Sequence, residues 1–179
     1  MAVPLFPHRC ASRERLNIRV DLLAAMAAQR SLTRRQHRQA ALDAFSGAWR
    51  LLDKRLRTPR ENHLMVHMAR GSRYHWEIVG TPKNWAIGEW QVSHVYAVQK
   101  RPEPALYHAK RCLGICRSNE IGDFPLAYAS EALARASAIS GRRKDRDRYV
   151  RLAEAAGGSI REDADRELFF RDIATVPRR

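Results

Sequence analysis

The histidines of segment 63–75 are the residues whose type and spacing could hold a metal ion. His63 and His67 lie four residues apart, which would place two imidazoles one helical turn apart, a spacing found in zinc sites. His75 follows two turns later and could share their side of the helix. A His-Glu-x-x-His zinc peptidase needs a glutamate base directly after its first histidine, and Leu64 stands there. A small metal-dependent enzyme with a His-based site is therefore the third functional hypothesis, and we expect no bound metal and no cofactor.

A second line of candidate ligands, His108, Cys112 and Cys116, steps by four along a predicted helix. From first to third, such residues span about 12 Å, which is too long for one tetrahedral ion. Both thiols lie on an apolar stripe, which predicts burial, and a buried thiol is a poor nucleophile. The sequence contains no phosphate-binding loop, dinucleotide-binding turn or nucleophile elbow. We therefore predict no catalytic residue and no enzymatic activity.

The elements that must position these residues are predicted to be helices. Apolar residues recur every three or four positions, between helix starts such as Thr58-Pro59 and Thr81-Pro82 and stops such as Gly141. The connections are short, so neighbouring helices should form antiparallel hairpins. The predicted helices lie near 34–57, 60–79, 84–99, 102–118, 124–140, 143–157 and 161–172. The fold class is therefore all-α, and no sheet is expected.

Residues 1–33 follow a less regular pattern than the rest of the chain. Residues 16–22 alternate apolar and polar types, as strands do, whereas residues 23–27 favour a helix. We predict an N-terminal extension or extra helix over residues 1–33 and a helical repeat domain over residues 34–179.

Two segments of the helical domain repeat the same spacing. Positions 92–96, 105 and 112 form one helix-turn-helix unit, and positions 133–137, 146 and 153 form the other, 41 residues later. In both units the middle position follows the motif by nine residues, and the next small residue follows by seven. Equal steps of this kind are typical of repeated helical hairpins.

This spacing resembles the tetratricopeptide repeat (TPR), a family of paired-helix units. The matching residues are Val92, Ser93, Tyr96, Ala105 and Cys112 in the first unit and Leu133, Ala134, Gly141 and Ala153 in the second. Glu89, Lys100 and Arg146 depart from the family's Trp, Gly and Ala, and the offset of 41 residues exceeds the family's usual ~34. The resemblance implies antiparallel helical hairpins stacked as a short TPR-like α-solenoid.

The chain is also similar to a group of bacterial TPR-like proteins with no assigned activity. The similarity covers roughly residues 38–177. It is carried by Arg73-Tyr74-His75-Trp76, Gly88-Glu89-Trp90-Gln91, Tyr96-Ala97-Val98, Ile121-Gly122-Asp123-Phe124 and Arg166-Glu167-Leu168-Phe169-Phe170. It implies the same helical fold and attaches no chemistry to it.

The concave face of such a stack is built from the first helix of each pair. In the TPR register it is lined by Ile87, Trp90, His94, Ala97 and Val98 in one unit and by Tyr128, Glu131, Arg135, Ala138 and Ile139 in the next. Trp90 lies off the apolar stripe of its own helix, so we expect it to face a ligand and to be dispensable for folding. The first functional hypothesis is a scaffold or adaptor that binds a protein or peptide. Its predicted groove residues are Trp90, His94, Tyr128, Glu131 and Arg135.

The net charge of +14 supplies the second hypothesis. Residues 1–119 carry +13 of this charge, so the basic N-terminal two-thirds could bind nucleic acid. Arg34, Arg35 and Arg38 come nearest to the basic cluster that such binding needs. An arginine-rich composition of solvated helix faces would explain the same charge without a function. No apolar stretch approaches the ~20 residues of a membrane span, and the cysteine usage favours a cytoplasmic protein.

Overall fold

The computed structural model describes residues 31–178, which form seven α-helices and no strand. The helices are α1 (Arg34–Leu52), α2 (Pro59–Val79), α3 (Pro82–Val98), α4 (Pro102–Ser118), α5 (Asp123–Ile139), α6 (Arg143–Gly157) and α7 (Asp163–Ile173). The all-α prediction is confirmed, and only the end of the first helix differs by more than two residues. The predicted extension or extra helix over residues 1–33 lies almost entirely outside the described residues.

The first helix ends earlier than predicted because a side chain closes it. Arg57 Nη1 donates hydrogen bonds to the carbonyls of Leu51 and Leu52, both at 3.0 Å, and helix ends leave such carbonyls unpaired. The next helix starts directly afterwards. The Thr58 hydroxyl accepts from the Glu61 backbone N–H, while the Glu61 carboxylate accepts from the Thr58 N–H. These two reciprocal hydrogen bonds form a capping box.

Consecutive helices pack in pairs, α1 with α2, α3 with α4 and α5 with α6. The first helices of successive pairs also touch, since α1 contacts α3, α3 contacts α5, and α5 contacts α7. The apolar stripes and the repeat spacing predict that eight residues are buried: Val92, Tyr96, Ala105, Ala109, Cys112, Leu113, Leu133 and Ala153. All are buried except Leu113, which is half-buried. The packing is consistent with a helical solenoid.

Small residues allow α5 and α7 to pack closely against their neighbours. Alanines of α5 are fully or almost fully buried: Ala127, Ala129, Ala132, Ala134 and Ala136. At the end of α6, a Cβ added to Gly157 would lie 2.3 Å from Cε1 of Phe169. Because Gly157 has no side chain, the Phe169 ring can pack against it and hold α7 against α6. Across residues 31–178, no helix has both the length and the apolar character that crossing a membrane requires.

Candidate binding groove

An open groove with a volume of about 640 Å³ lies among α1, α3, α5 and α7, with one wall residue from α2. Its lining residues are Leu42, Phe45, Trp49, Asp53, Trp76, Asn84, Ile87, Trp90, Phe124, Tyr128, Leu168 and Asp172. Ligand sites in proteins commonly enclose about 300–1,000 Å³. The groove is therefore large enough to receive several side chains of a partner.

A row of aromatic rings crosses the groove from one helix to the next. The ring centroids of Trp49 on α1 and Trp90 on α3 are 5.6 Å apart. Those of Trp90 and Tyr128 on α5 are 4.6 Å apart, and Tyr128 continues to Phe124 at 4.4 Å. Tilted and edge-to-face contacts at these distances are favourable. The rings therefore support one another and form a continuous apolar surface.

The rim of the groove combines exposed leucines with carboxylates. Leu42 on α1 is 43% exposed and Leu168 on α7 is 39% exposed. Asp53 and Asp172 also line the groove, and no lysine or arginine among residues 31–178 does, although the chain has 33 basic residues. An apolar surface with acidic edges therefore interrupts an otherwise basic protein.

Two of the predicted groove residues, Trp90 and Tyr128, line the groove and are more deeply buried than expected. Trp90 is 6% exposed and Tyr128 is 2% exposed. The expectation that Trp90 lies off the core is wrong, because the first helices pack side by side and their rings become each other's packing partners. Trp90 is therefore a core residue as well as a groove residue.

Glu131 and Arg135, also predicted for the groove, do not line it. Arg135 Nε donates to Glu131 Oε1 at 2.6 Å. Its Nη2 donates to the Asp172 carbonyl at 3.1 Å and to the Thr175 hydroxyl at 2.8 Å. The repeat register does not predict the position of α7. In the structure, α7 and the residues just after it accept the hydrogen bonds of Arg135 on α5. The pair thus fastens the end of α7, which supplies one wall of the groove.

His94, the remaining predicted groove residue, also lies away from the groove lining. Its ring centroid is 5.8 Å from that of Trp49 and 6.0 Å from that of Trp90. Burial, and secondly the charge of Arg135, lower the pKa of His94 to about 4, and the opposite effect of Asp172 is smaller. At neutral pH His94 therefore contributes an uncharged ring that packs behind the aromatic row.

The lowered pKa of His94 predicts a loss of stability in mild acid. The unfolded chain protonates this imidazole near pH 6.5, whereas the folded protein does so only near pH 4. Between these values the unfolded state binds more protons, so the free energy of unfolding should decrease as the pH is lowered. We expect a fall of up to roughly 3 kcal/mol from this residue. Urea unfolding at a series of pH values from 7 to 4 measures it.

Two variants test whether His94 causes this pH dependence of the free energy of unfolding. His94→Phe keeps a ring and removes the titration, so it should lose most of the slope. A smaller part should remain, because burial and the charge of His37 also lower the pKa of His75. His67→Gln, at an exposed position on α2, should keep the wild-type slope. An unchanged slope in His94→Phe would contradict the assignment.

The histidines of the metal hypothesis are dispersed. His63 and His67 are exposed on α2, while His75 is half-buried and its Nδ1 lies 2.8 Å from Nδ1 of His37 on α1. In the described part of the chain, no three His, Cys, Asp or Glu side chains are grouped so that they could hold a metal ion.

The second line of candidate ligands is also divided between different contacts. Cys112 and Cys116 are buried, as predicted. A hydrogen bond to Cys116, together with burial, raises the pKa of the Cys112 thiol well above its usual value. His108 instead hydrogen-bonds Glu89. Cys112 is therefore a protonated packing residue at neutral pH.

A buried charge cluster centred on Glu89 escaped the sequence-based prediction. Glu89 Oε1 accepts from Arg73 Nε on α2 at 3.0 Å and from Arg111 Nε on α4 at 2.9 Å. Its Oε2 lies 2.7 Å from Nδ1 of His108. Burial alone would raise the pKa of Glu89, but the hydrogen bonds and charges of His108 and Arg111 outweigh it and lower the pKa. Glu89 is therefore an ionised link between three helices.

Comparisons with known proteins leave the groove as the main basis for a functional inference. No family model, no curated protein and no solved structure matches the chain.

Proposed function

We propose that this chain is a TPR-like scaffold or adaptor that binds a segment of a protein or peptide in the groove without catalysing a reaction. The observation that carries the proposal is the open aromatic groove with Leu42 and Leu168 exposed on its rim. Soluble proteins rarely leave contiguous apolar surface exposed unless it binds something. The aromatic rings, which neighbouring helices hold in place, give the groove a fixed apolar floor beneath these leucines.

Matching turns support the TPR-like part of the proposal. Lys100 and Gly141, which are 41 residues apart, both adopt left-handed backbone conformations with φ of 55° and 70°. The residue after each turn closes the same hydrogen bond: Arg101 N–H donates to the Tyr96 carbonyl at 3.0 Å, and Arg142 N–H donates to the Ser137 carbonyl at 3.0 Å. The two hairpins thus turn in the same way, as does the connection from α4 to α5, where Glu120 has φ of 52° and Ile121 N–H donates to the Cys116 carbonyl at 2.8 Å. Only one of the two hairpins has glycine at the family's position.

Nucleic-acid binding by the basic N-terminal two-thirds is the second candidate. Arg34, Arg35 and Arg38 are all exposed at the start of α1, which favours contacts with phosphates. The groove favours the scaffold instead, since its lining holds two carboxylates and no basic residue from the described part of the chain. A phosphate backbone placed there would meet like charge.

A display library of random peptides, screened against the full chain, tests the groove. We expect peptides whose affinity falls at least tenfold when Leu42 and Leu168 are both replaced by Gln, because the apolar contacts at the rim are lost. Both leucines are substantially exposed, so the double variant should fold normally, as circular dichroism can check.

Leu152→Gln is the matched control for this screen. Leu152 on α6 is 44% exposed and does not line the groove, so peptide affinity should not change. A library without binders, or binders that do not distinguish wild type from Leu42→Gln/Leu168→Gln, would rule out the groove as the binding site. Salt-sensitive binding of a nucleic-acid duplex that survives the same changes would favour the second candidate.

A further inference from the structure

We infer that the segment bound in the groove is a short amphipathic helix that carries a basic residue beside its apolar anchors. The inference rests on the proposed function and specifies the ligand of the same site. Three features of the groove support it: its length, its scarcity of backbone partners, and its charge.

The length of the groove fits about three turns of helix. Along α1 and the residue that follows it, the lining runs from Leu42 to Asp53, a separation of eleven residues. At a rise of about 1.5 Å per residue this wall is about 16 Å long. Apolar side chains at positions i, i+4 and i+7 of a ligand helix would span most of that distance. The aromatic row provides the surface on which they would pack.

The walls of the groove offer few partners for the backbone of an extended peptide. They are helices, whose own backbone groups are already paired along their length. The Asn84 side-chain oxygen accepts from the Thr81 N–H at 2.9 Å, and Asp172 Oδ2 accepts from the Tyr128 hydroxyl at 2.7 Å. An extended ligand would therefore bury unpaired N–H and C=O groups, which is costly. A helical ligand satisfies these groups internally.

The charge of the lining selects the polar side chains of that helix. Asp53 follows Trp49 by one turn, and Asp172 is bonded to Tyr128, so both carboxylates adjoin the aromatic row. Two neighbouring cations already pair with other carboxylates: Lys54 pairs with Glu61, and the Arg135 guanidinium pairs with Glu131 while also donating to the Asp172 carbonyl.

Arg57 is likewise occupied, because it donates to carbonyls at the end of α1. A lysine or arginine one turn from an apolar anchor of the ligand would therefore gain a charge-assisted hydrogen bond with Asp53 or Asp172. An acidic helix would meet like charge at both positions.

Three synthetic peptides of about 15 residues test the inference against the full chain. They share the same Leu and Phe anchors and carry Arg, Gln or Glu at the polar positions, and fluorescence anisotropy gives each affinity at about 0.15 M salt, where charges beyond ~8 Å are screened. We expect the Arg peptide to bind at least tenfold tighter than the Glu peptide. Since the whole protein is +14, general attraction would produce the reverse order.

A matched pair of variants places the effect in the groove. Asp53→Asn should reduce the preference for Arg over Gln at least threefold. Asp43→Asn makes the same charge change on α1, at an exposed residue outside the groove lining that accepts from the Gln39 side chain at 2.9 Å, and should leave the preference intact. An Arg peptide with a proline in its middle, which cannot stay helical, should lose at least tenfold in affinity.

Several outcomes would overturn the inference. They are equal binding of the three peptides, equal effects of Asp53→Asn and Asp43→Asn, undiminished binding of the proline peptide, or no binding by any peptide. If library peptides still bind in a manner that depends on Leu42 and Leu168, the groove remains a binding site and only its helical, basic ligand is wrong. If the library also yields none, the proposed function fails with it.

Discussion

Trp90→Ala is expected to lower the free energy of unfolding by about 3–5 kcal/mol. The Trp90 ring is 6% exposed and contacts the rings of Trp49, His94 and Tyr128. Removing it opens a cavity between α1, α3 and α5, and neighbours on separate helices cannot all move in to fill it. Urea unfolding followed by circular dichroism measures this change. An m-value equal to that of the wild type would show that unfolding exposes the same amount of surface in both proteins, so that their free energies can be compared.

Trp90→Phe separates packing from any specific role of the indole. Trp90 Nε1 has no hydrogen-bond partner among residues 31–178, so phenylalanine keeps an aromatic ring and gives up no bond to the described residues. We expect a loss of only about 1–2 kcal/mol for this change. If Trp90→Ala instead keeps wild-type stability and only weakens peptide binding tenfold, Trp90 is a surface anchor, as its position off the stripe suggested.

The error over Trp90 shows where an apolar stripe stops being informative. A stripe marks only one buried face of a helix such as α3, whose hairpin partner is α4. In a stack, α3 also packs against α1 and α5, so a second face is buried. Spacing along one helix does not reveal that second contact, because it depends on how successive pairs come together. An off-stripe tryptophan is then a residue of the interface between pairs.

The helix boundaries could be predicted because their signals are local. The capping box of Thr58 and Glu61 and the prolines at the starts of α2, α3 and α4 act within one turn. The groove wall formed by α7 could not be predicted in this way. It depends on Phe169 packing over Gly157 and on Arg135 reaching Thr175, 40 residues away. Neither contact leaves a periodic pattern in the sequence.

The sequence marks Glu89 as unusual but does not identify the basic residues that pair with it. Glu89 departs from the tryptophan that the TPR pattern favours at this position, and a charged residue in the middle of a predicted core helix indicates a buried ion pair. Its partners Arg73 and Arg111 lie 16 and 22 residues away on two other helices. The sequence offers 33 basic residues as candidates, and only the packing of α2, α3 and α4 selects among them.

Glu89→Gln is expected to lower the free energy of unfolding by about 3–5 kcal/mol, because it leaves buried cationic groups without their carboxylate. The Arg73 side chain is only 10% exposed and would keep Glu77 as its remaining ionic partner at 3.0 Å. The Arg111 side chain is 45% exposed and can return to water, so it should contribute little. Urea unfolding at neutral pH measures the loss.

Two further variants distinguish charge from packing at this site. Glu77→Gln removes the other partner of Arg73, but Glu77 is 65% exposed, so the loss should stay below about 1 kcal/mol. Glu89→Leu combined with Arg73→Met removes the buried pair together, and we expect it to be more stable than Glu89→Gln. A double variant that is less stable than Glu89→Gln would mean that the pair stabilises the fold through its own attraction.

The pH dependence of Glu89→Gln tests the electrostatic origin of its cost. The pKa of Glu89 is lower in the folded protein than its ordinary value of 4.5, so its ionised form stabilises the fold fully above pH 4.5. That contribution is lost as the pH falls through the folded pKa. The difference in unfolding free energy between wild type and Glu89→Gln should therefore be constant from pH 7 to 5 and should narrow as the pH falls below 4.5, because a protonated Glu89 resembles glutamine. A difference that stays constant below pH 4.5 would show that altered packing, and not the lost charge, destabilises the variant.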